Sequence, residues 1–202
     1  ALSSFKKSGE FDTVVLYPHG GVSEIQEKQM LYYTDARTRA FAVDGNFDDC
    51  QTFVKQIFSG YDVKDVILSS ANSINIGRLV PQVIYYVYAY ISAVNAGVIA
   101  LGEQINVVVP TGNFGDIFAG YLAKKIGVPL NKFVCASNVN NVLTDFFKTG
   151  VYDKNREFYK SNSPAMDILI SSNLERLLYY ATGSANRVNE LMRDLKTNGK
   201  YK

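Results

Sequence analysis

Residues 107 to 116 read VVVPTGNFGD, and this stretch decides the fold. The run from Ile105 to Val109 is uncharged and rich in β-branched residues, which is typical of a strand buried on both faces of a parallel sheet. Gly112 and Gly115 then allow the backbone to turn sharply and to approach a ligand closely. The spacing from about Asp116 to Lys125 predicts a helix, so the pattern is strand, glycine turn, helix.

The predicted turn is a candidate phosphate site. A helix that starts behind a glycine turn presents free N–H groups and the positive end of its dipole, and both favour a bound phosphate. Two glycines alone are equally compatible with a tight turn that binds no ligand, because short glycine motifs recur widely.

Strand and helix patterns alternate along the rest of the chain. Capping patterns at Ser23, Asn46 and Ser184 predict three helix starts. A helix is also predicted from Pro81 to about Ala100. The predicted strands are 13–17, 39–43, 66–68, 105–109 and 133–136. Strands that alternate with helices imply parallel-sheet βα units, and therefore the α/β class.

A second polar loop, NSINIGR at residues 72–78, follows the predicted strand at 66–68. It places amides, a hydroxyl and a guanidinium beyond the carboxyl end of a strand, where ligands bind in open α/β sheets. These groups donate hydrogen bonds to phosphates and carboxylates. The alternative is local stabilisation of the loop, since Asn and Ser side chains often bond to nearby backbone.

Composition excludes several other classes of protein. The 202 residues are 47% hydrophobic and 20% charged, with a net charge of +2 and dispersed basic residues, so no nucleic-acid partner is expected. The apolar stretch 80–101 is interrupted by polar residues and tyrosines, which favours a buried helix over a membrane span. His19 is the sole histidine, and Cys50 and Cys135 stand alone, so no metal site is predicted and a reducing compartment, the cytoplasm, is expected.

Six colinear stretches carry a family resemblance that covers nearly the whole chain. They are 17–23 with 25–27, 45–49, 68–75, 110–116, 136–138 with 141–147, and 166–176. In them the chain resembles threonine synthases of the pyridoxal-phosphate type. The resemblance implies a fold-type II architecture of two α/β domains with the cofactor between them. Residues 1–70 would form part of the smaller domain, and residues 71–202 part of the larger, cofactor-binding domain.

The resemblance also implies an activity and a set of site residues. The family consists of lyases of threonine biosynthesis, which convert O-phosphohomoserine and water to threonine and phosphate with pyridoxal 5'-phosphate as the electron sink. By this resemblance Gly112, Asn113, Phe114 and Gly115 hold the cofactor phosphate through backbone N–H groups. Asn72, Ser73, Arg78 and Asn113 would bind the phosphate of the small-molecule substrate.

Some parts of the family pattern do not occur in this sequence. The lysine that binds the cofactor, in a Phe-Lys-Asp context, and the loop for the substrate carboxylate would precede Ala1. The contact to the pyridine nitrogen would follow Lys202. The resemblance therefore implies an inactive central fragment without a catalytic residue, which needs the rest of the parent chain or a homo-oligomer partner. Two alternatives stay open: another fold-type II enzyme (a dehydratase or a β-replacing synthase), and a non-enzymatic α/β module that binds a phosphometabolite.

Overall fold

The computed structural model describes residues 2–60 and 66–202. Its strands are β1 (Thr13–Pro18), β2 (Thr38–Val43), β3 (Ile105–Pro110), β4 (Leu130–Ala136), β5 (Tyr152–Asp153) and β6 (Lys200–Tyr201). Its α-helices are α1 (Leu2–Ser8), α2 (Glu24–Tyr32), α3 (Phe47–Gly60), α4 (Ile76–Leu79), α5 (Val83–Asn95), α6 (Gly115–Lys125), α7 (Val142–Thr149), α8 (Leu174–Thr182) and α9 (Ala185–Asn198). Short 3-10 helices occupy Val80–Gln82 and Pro164–Met166.

The predicted parallel βα units are present. β1 pairs in parallel with β2 after a crossover through α2, and Val15 lies opposite Ala40. β3 pairs in parallel with β4 after a crossover through α6, and Val109 lies opposite Cys135. β5 and β6 form a short antiparallel pair. The α/β class predicted from the sequence is therefore confirmed.

All three predicted helix caps are confirmed. The Ser23 hydroxyl accepts a hydrogen bond from the Gln26 N–H at 3.3 Å, and the Gln26 side chain accepts one from the Ser23 N–H at 3.1 Å, which completes a capping box. The Asn46 side chain accepts from the N–H groups of Asp48 and Asp49. Ser184 caps α9. These short-range interactions fix where the helices begin.

Two predicted elements differ in the structure. Residues 66–68 do not form a strand, because no strand among the described residues pairs with them, and Ile67 is 99% exposed. The helix expected over 81–100 begins with a 3-10 turn, Val80–Gln82, and is α-helical only from Val83 to Asn95. Gly97 takes a left-handed φ of 68° and its N–H bonds the Val94 carbonyl, which closes the helix five residues early.

The strand β3 is not buried on both faces, contrary to the prediction. Val109 is 5% exposed but Val108 is 67% exposed. The side chains of a strand alternate between two faces. In the part of the chain that the structure describes, helix α6 and its neighbours cover one face of this strand pair, and the other face is open.

The chain divides into two compact units, residues 1–69 and 70–202. The larger unit contains the main hydrophobic core, in which α6 is central: Ile117, Phe118, Ala119 and Ala123 are all buried. No helix among the described residues is long and apolar enough to cross a bilayer. Both loops singled out by sequence lie in the larger unit.

Candidate functional site

The glycine loop joins the end of β3 to the start of α6. Thr111 is the first residue of the loop, and two hydrogen bonds anchor it. The Thr111 N–H donates to the Ala136 carbonyl at 2.8 Å, and the Thr111 hydroxyl donates to the Val109 carbonyl at 2.7 Å. Helix α6 starts at Gly115, and no side chain among the described residues caps it with a hydrogen bond. The first N–H groups of a helix have no partner within the helix, so this end is suited to an anion.

The two glycines of the loop have different steric surroundings. A Cβ atom at Gly112 would lie 3.0 Å from both the Ala165 carbonyl oxygen and the Ile168 Cδ1 atom, so that glycine is required by packing against the chain itself. A Cβ atom at Gly115 would meet its nearest neighbours, Asn173 and Gln82, at 3.6 Å. That is ordinary van der Waals contact, so a methyl group at Gly115 would fit without displacing its neighbours.

Phe114 has an unusual backbone conformation. Among the described non-glycine residues it alone has a positive φ, 64°, and its side chain is buried. A bulky residue in the left-handed region stores roughly 1–3 kcal/mol of strain. Its ring stacks on Phe147 with the ring centroids 6.0 Å apart. Because such strain persists only where the surroundings enforce it, the loop must be held by strong contacts.

In residues 70–78, which contain the polar loop, several side chains form hydrogen bonds within the segment itself. The Asn72 side-chain oxygen accepts from the Ser70 hydroxyl at 2.7 Å and from the Ile74 N–H at 3.1 Å. Asn75 caps α4 by accepting from the Gly77 N–H at 2.8 Å. Local stabilisation of the loop, the alternative to ligand binding that the sequence suggested, is therefore present. The Asn72 side-chain nitrogen is still able to donate a hydrogen bond to a ligand.

Arg78 lies in the last turn of α4 and is exposed. Within the described ranges, its guanidinium makes no hydrogen bond and no ion pair. An arginine without a protein partner keeps all five N–H donors for a phosphate or for water.

Ser171, Ser172 and Asn173 connect these two loops, and sequence reasoning gave them no role. The Ser171 hydroxyl donates to the Gly112 carbonyl at 2.7 Å. The Ser172 hydroxyl lies 3.2 Å from the Asn113 side-chain oxygen and 3.3 Å from the Ser73 hydroxyl. Ser73 and Asn113, predicted from separate motifs, are thus joined through one side chain.

Asn173 is fully buried and holds the glycine loop most directly. Its backbone N–H and its side-chain nitrogen both donate to the Asn113 carbonyl, each at 3.0 Å. Its side-chain oxygen accepts from the Arg176 Nε atom at 2.9 Å. The run of small polar residues before α8 resembles a capping pattern, but the Asn173 side chain donates to Asn113 and Ser172 instead of capping the helix, so local spacing does not predict its role.

Comparison with known proteins places this geometry in a family. No model of a known protein family matches the chain. The threonine synthase of Saccharomyces cerevisiae is 40% identical over 212 residues, which cover 100% of this chain and 41% of the yeast protein. The PLP-bound threonine synthase of Brucella melitensis superimposes with a TM-score of 0.76 at 37% identity, over 99% of this chain and 48% of that one. The chain belongs to the threonine synthase family.

Other family members give the same picture. The threonine synthase of Pseudomonas aeruginosa is 40% identical over 202 residues, covering 99% of this chain and 42% of the relative. Human threonine synthase-like 1 is 46% identical over 190 residues, covering 90% of this chain and 25% of the relative. The chain thus spans less than half the length of these relatives. The family assigned from sequence is confirmed, and so is the partial fold-type II architecture.

A buried carboxylate, Asp167, lies in the same unit of the chain. Asp167 accepts hydrogen bonds from the Ser161 N–H and hydroxyl and from the side chains of Asn138 and Asn140, at 2.7 to 3.0 Å. Burial alone would raise the pKa of this carboxyl, but the hydrogen bonds to its charged form outweigh burial and lower it. The cluster fixes the segment whose residues 165–168 pack on Gly112.

The Tyr86 hydroxyl forms hydrogen bonds to the first turn of α6. The Tyr86 hydroxyl donates to the Asp116 backbone carbonyl at 2.9 Å and lies 3.2 Å from the Asp116 carboxylate. Burial, and then the negative charge of Asp116, raises the pKa of Tyr86. The hydroxyl therefore stays protonated and serves as a donor. Among residues 2–60 and 66–202, no three acidic, histidine or cysteine side chains form a metal-binding cluster.

Proposed function

We propose that this chain is the central part of a pyridoxal-phosphate-dependent threonine synthase, which converts O-phosphohomoserine and water to threonine and phosphate. One observation carries the proposal: Ser73 of the polar loop and Asn113 of the glycine loop contact the same Ser172 hydroxyl, at 3.3 and 3.2 Å. Two candidate phosphate sites therefore lie side by side in one unit, as a phosphorylated cofactor and a phosphorylated substrate require. The family relationship supports the identity of both ligands.

The glycine loop is suited to the cofactor phosphate. Gly112, Asn113, Phe114 and Gly115 would hold it with backbone N–H groups at the uncapped start of α6. Gly115 supports this use because it carries no side chain that would keep a phosphate away from the backbone. When bound, pyridoxal phosphate supplies an electron sink for the carbon atoms of the substrate. The protein residues bind and orient the two phosphates.

The polar loop is suited to the substrate phosphate. The Asn72 side-chain nitrogen offers a neutral donor, and the Ser73 hydroxyl offers another when it turns from Ser172. Asn113 adds an amide from the neighbouring loop, and Arg78 adds a guanidinium that has no partner among the described residues. Charge-assisted hydrogen bonds from a guanidinium to a phosphate are the strongest contacts available to this group. These residues would fix the substrate by its leaving group.

We propose that residues 1–70 form part of the smaller domain and residues 71–202 part of the larger, cofactor-binding domain. The free cysteines Cys50 and Cys135 support a reducing compartment, and we infer a cytoplasmic location.

None of the lysines described here is proposed as the residue that binds the cofactor covalently, because all are exposed except Lys154, which is half-buried.

The decisive experiment is an assay of the purified full-length protein with pyridoxal phosphate and O-phosphohomoserine. We expect equal amounts of threonine and inorganic phosphate to form. Homoserine with phosphate would indicate a phosphatase, and a 2-oxo acid with phosphate would indicate an elimination without water addition. Either result would contradict the proposed replacement reaction.

A further inference from the structure

We propose that Arg176 is a positioning residue that sets the distance between the two phosphate loops; this inference rests on the function proposed above. The Arg176 Nη2 atom donates to the Ile74 carbonyl of the polar loop at 3.0 Å. Its Nε atom donates to the Asn173 side-chain oxygen at 2.9 Å. Asn173 in turn donates twice to the Asn113 carbonyl of the glycine loop. One side chain of α8 therefore connects two loops that are about 40 residues apart in sequence.

The chemistry of arginine suits this connection. Its guanidinium holds several donors in a rigid planar fork, so two acceptors bound to different nitrogens are kept at a set separation. A lysine carries one nitrogen on a flexible stem and cannot impose that separation. Within residues 2–60 and 66–202 no carboxylate pairs with Arg176, so its donors serve the two loops.

A second connection runs in parallel through Ser172, and it is the weaker of the two. Its contacts to Ser73 and Asn113 measure 3.3 and 3.2 Å, which is long for hydrogen bonds between oxygen atoms. The contacts of Arg176, at 2.9 and 3.0 Å, have the ordinary length for N–H donors, and a charge strengthens them. We infer that Arg176 provides the main connection and Ser172 a supplementary one.

The connection has a specific consequence for binding. The substrate must place its carbon atoms at the cofactor while its own phosphate stays on the polar loop, so the spacing between the loops decides whether both phosphates fit at once. Loss of the Arg176 fork should weaken the binding of the substrate phosphate more than it slows the reaction of the bound substrate. Such a change raises KM and leaves kcat nearly constant.

The test compares Arg176→Lys, Ser172→Ala and the double variant in the full-length holoenzyme, with Arg193→Lys on the exposed face of α9 as the control. The readouts are the dissociation constant of inorganic phosphate by calorimetry, KM and kcat for O-phosphohomoserine, and Tm. Arg176→Lys should weaken phosphate binding and raise KM by about tenfold, with kcat within about twofold of wild type. Ser172→Ala should have a smaller effect, and the double variant a loss larger than the product of the single losses.

Three results would overturn the inference. The first is an unchanged phosphate dissociation constant and KM in Arg176→Lys. The second is a joint loss of cofactor, kcat and Tm, which would make Arg176 merely structural. The third is an effect of Ser172→Ala equal to or larger than that of Arg176→Lys. If wild type forms no threonine but Arg176→Lys still loses phosphate affinity, the proposed function fails while the positioning role stands.

Discussion

Asn173 binds the carbonyl oxygen of Asn113 twice, through its own backbone N–H and through its side-chain amide, both at 3.0 Å. The carbonyl lies one residue before Phe114, whose left-handed backbone is strained. A fully buried amide that clamps this position explains how the loop keeps a conformation that would otherwise relax.

Replacement of Asn173 by Ala should therefore destabilise the protein and loosen the glycine loop. The change removes the Nδ2 donor to Asn113 and the acceptor of Arg176, and a buried group left without its partner costs about 1–3 kcal/mol. Chemical denaturation measures the free energy of unfolding. Asn186→Ala, at an exposed position of α9, is the control and should change it by less than about 0.5 kcal/mol. Equal values for the two variants would show that the clamp contributes no stability.

The two loop glycines should respond differently to an added methyl group. Gly112→Ala places Cβ 3.0 Å from the Ala165 carbonyl and Ile168, so we expect a loss of about 1–3 kcal/mol in the free energy of unfolding. Gly115→Ala meets neighbours at 3.6 Å and should leave stability nearly unchanged.

Gly115→Val should still weaken cofactor binding, since the valine side chain enters the space proposed for the phosphate. Cofactor affinity, measured by fluorescence titration, would be equal to wild type if the phosphate lay elsewhere.

Arg78→Leu should impair substrate binding and spare the cofactor. A charge-assisted hydrogen bond to phosphate is worth roughly 1.5–3 kcal/mol, which corresponds to a loss of about tenfold to a hundredfold in kcat/KM. The loss should appear mainly in KM for O-phosphohomoserine, while the absorbance of the bound cofactor stays the same. Arg193→Leu on α9 is the matched control. Equal losses of substrate and cofactor binding would instead assign Arg78 a structural role.

The Asp167 cluster should make the protein sensitive to acid. The folded-state pKa of this carboxyl lies below its ordinary value of 3.8, so its contribution to stability is fully present above about pH 4 and falls as pH drops through the lowered pKa. Asp167→Asn removes the titrating group and should lower stability at neutral pH, but with a flatter decline below pH 4. Urea denaturation at a series of pH values checks this. Parallel curves for wild type and variant would show that Asp167 does not control the acid sensitivity.

Local sequence patterns predicted most of the fold because short-range interactions determine it. The capping residues at Ser23, Asn46 and Ser184 bond within three residues, so their roles follow from spacing alone. The glycine turn before α6 was visible for the same reason. A lone apolar run such as residues 66–68 is different, because a strand needs a partner that the run itself does not specify.

Long-range contacts explain what the sequence did not predict. β5 and β6 are two residues each, and Tyr152 stacks on Tyr201 with the ring centroids 5.2 Å apart, a pairing across 49 positions that no local pattern encodes. The same holds for the contact of Ser172 with Asn113 and for that of Arg176 with Ile74, whose partners lie 59 and 102 residues away. Neighbouring motifs suggested both loops, but only the folded chain shows what joins them.

The most direct test of the account is a crystal structure of the full-length protein with pyridoxal phosphate and an unreactive phosphonate analogue of O-phosphohomoserine. We predict that the cofactor phosphate lies within hydrogen-bond distance of the N–H groups of residues 112–115. The phosphonate should contact Ser73, Arg78 and the Asn113 side chain, with the Arg176 contacts to Ile74 and Asn173 intact. A cofactor phosphate away from the start of α6, or a phosphonate that does not touch the polar loop, would contradict the account.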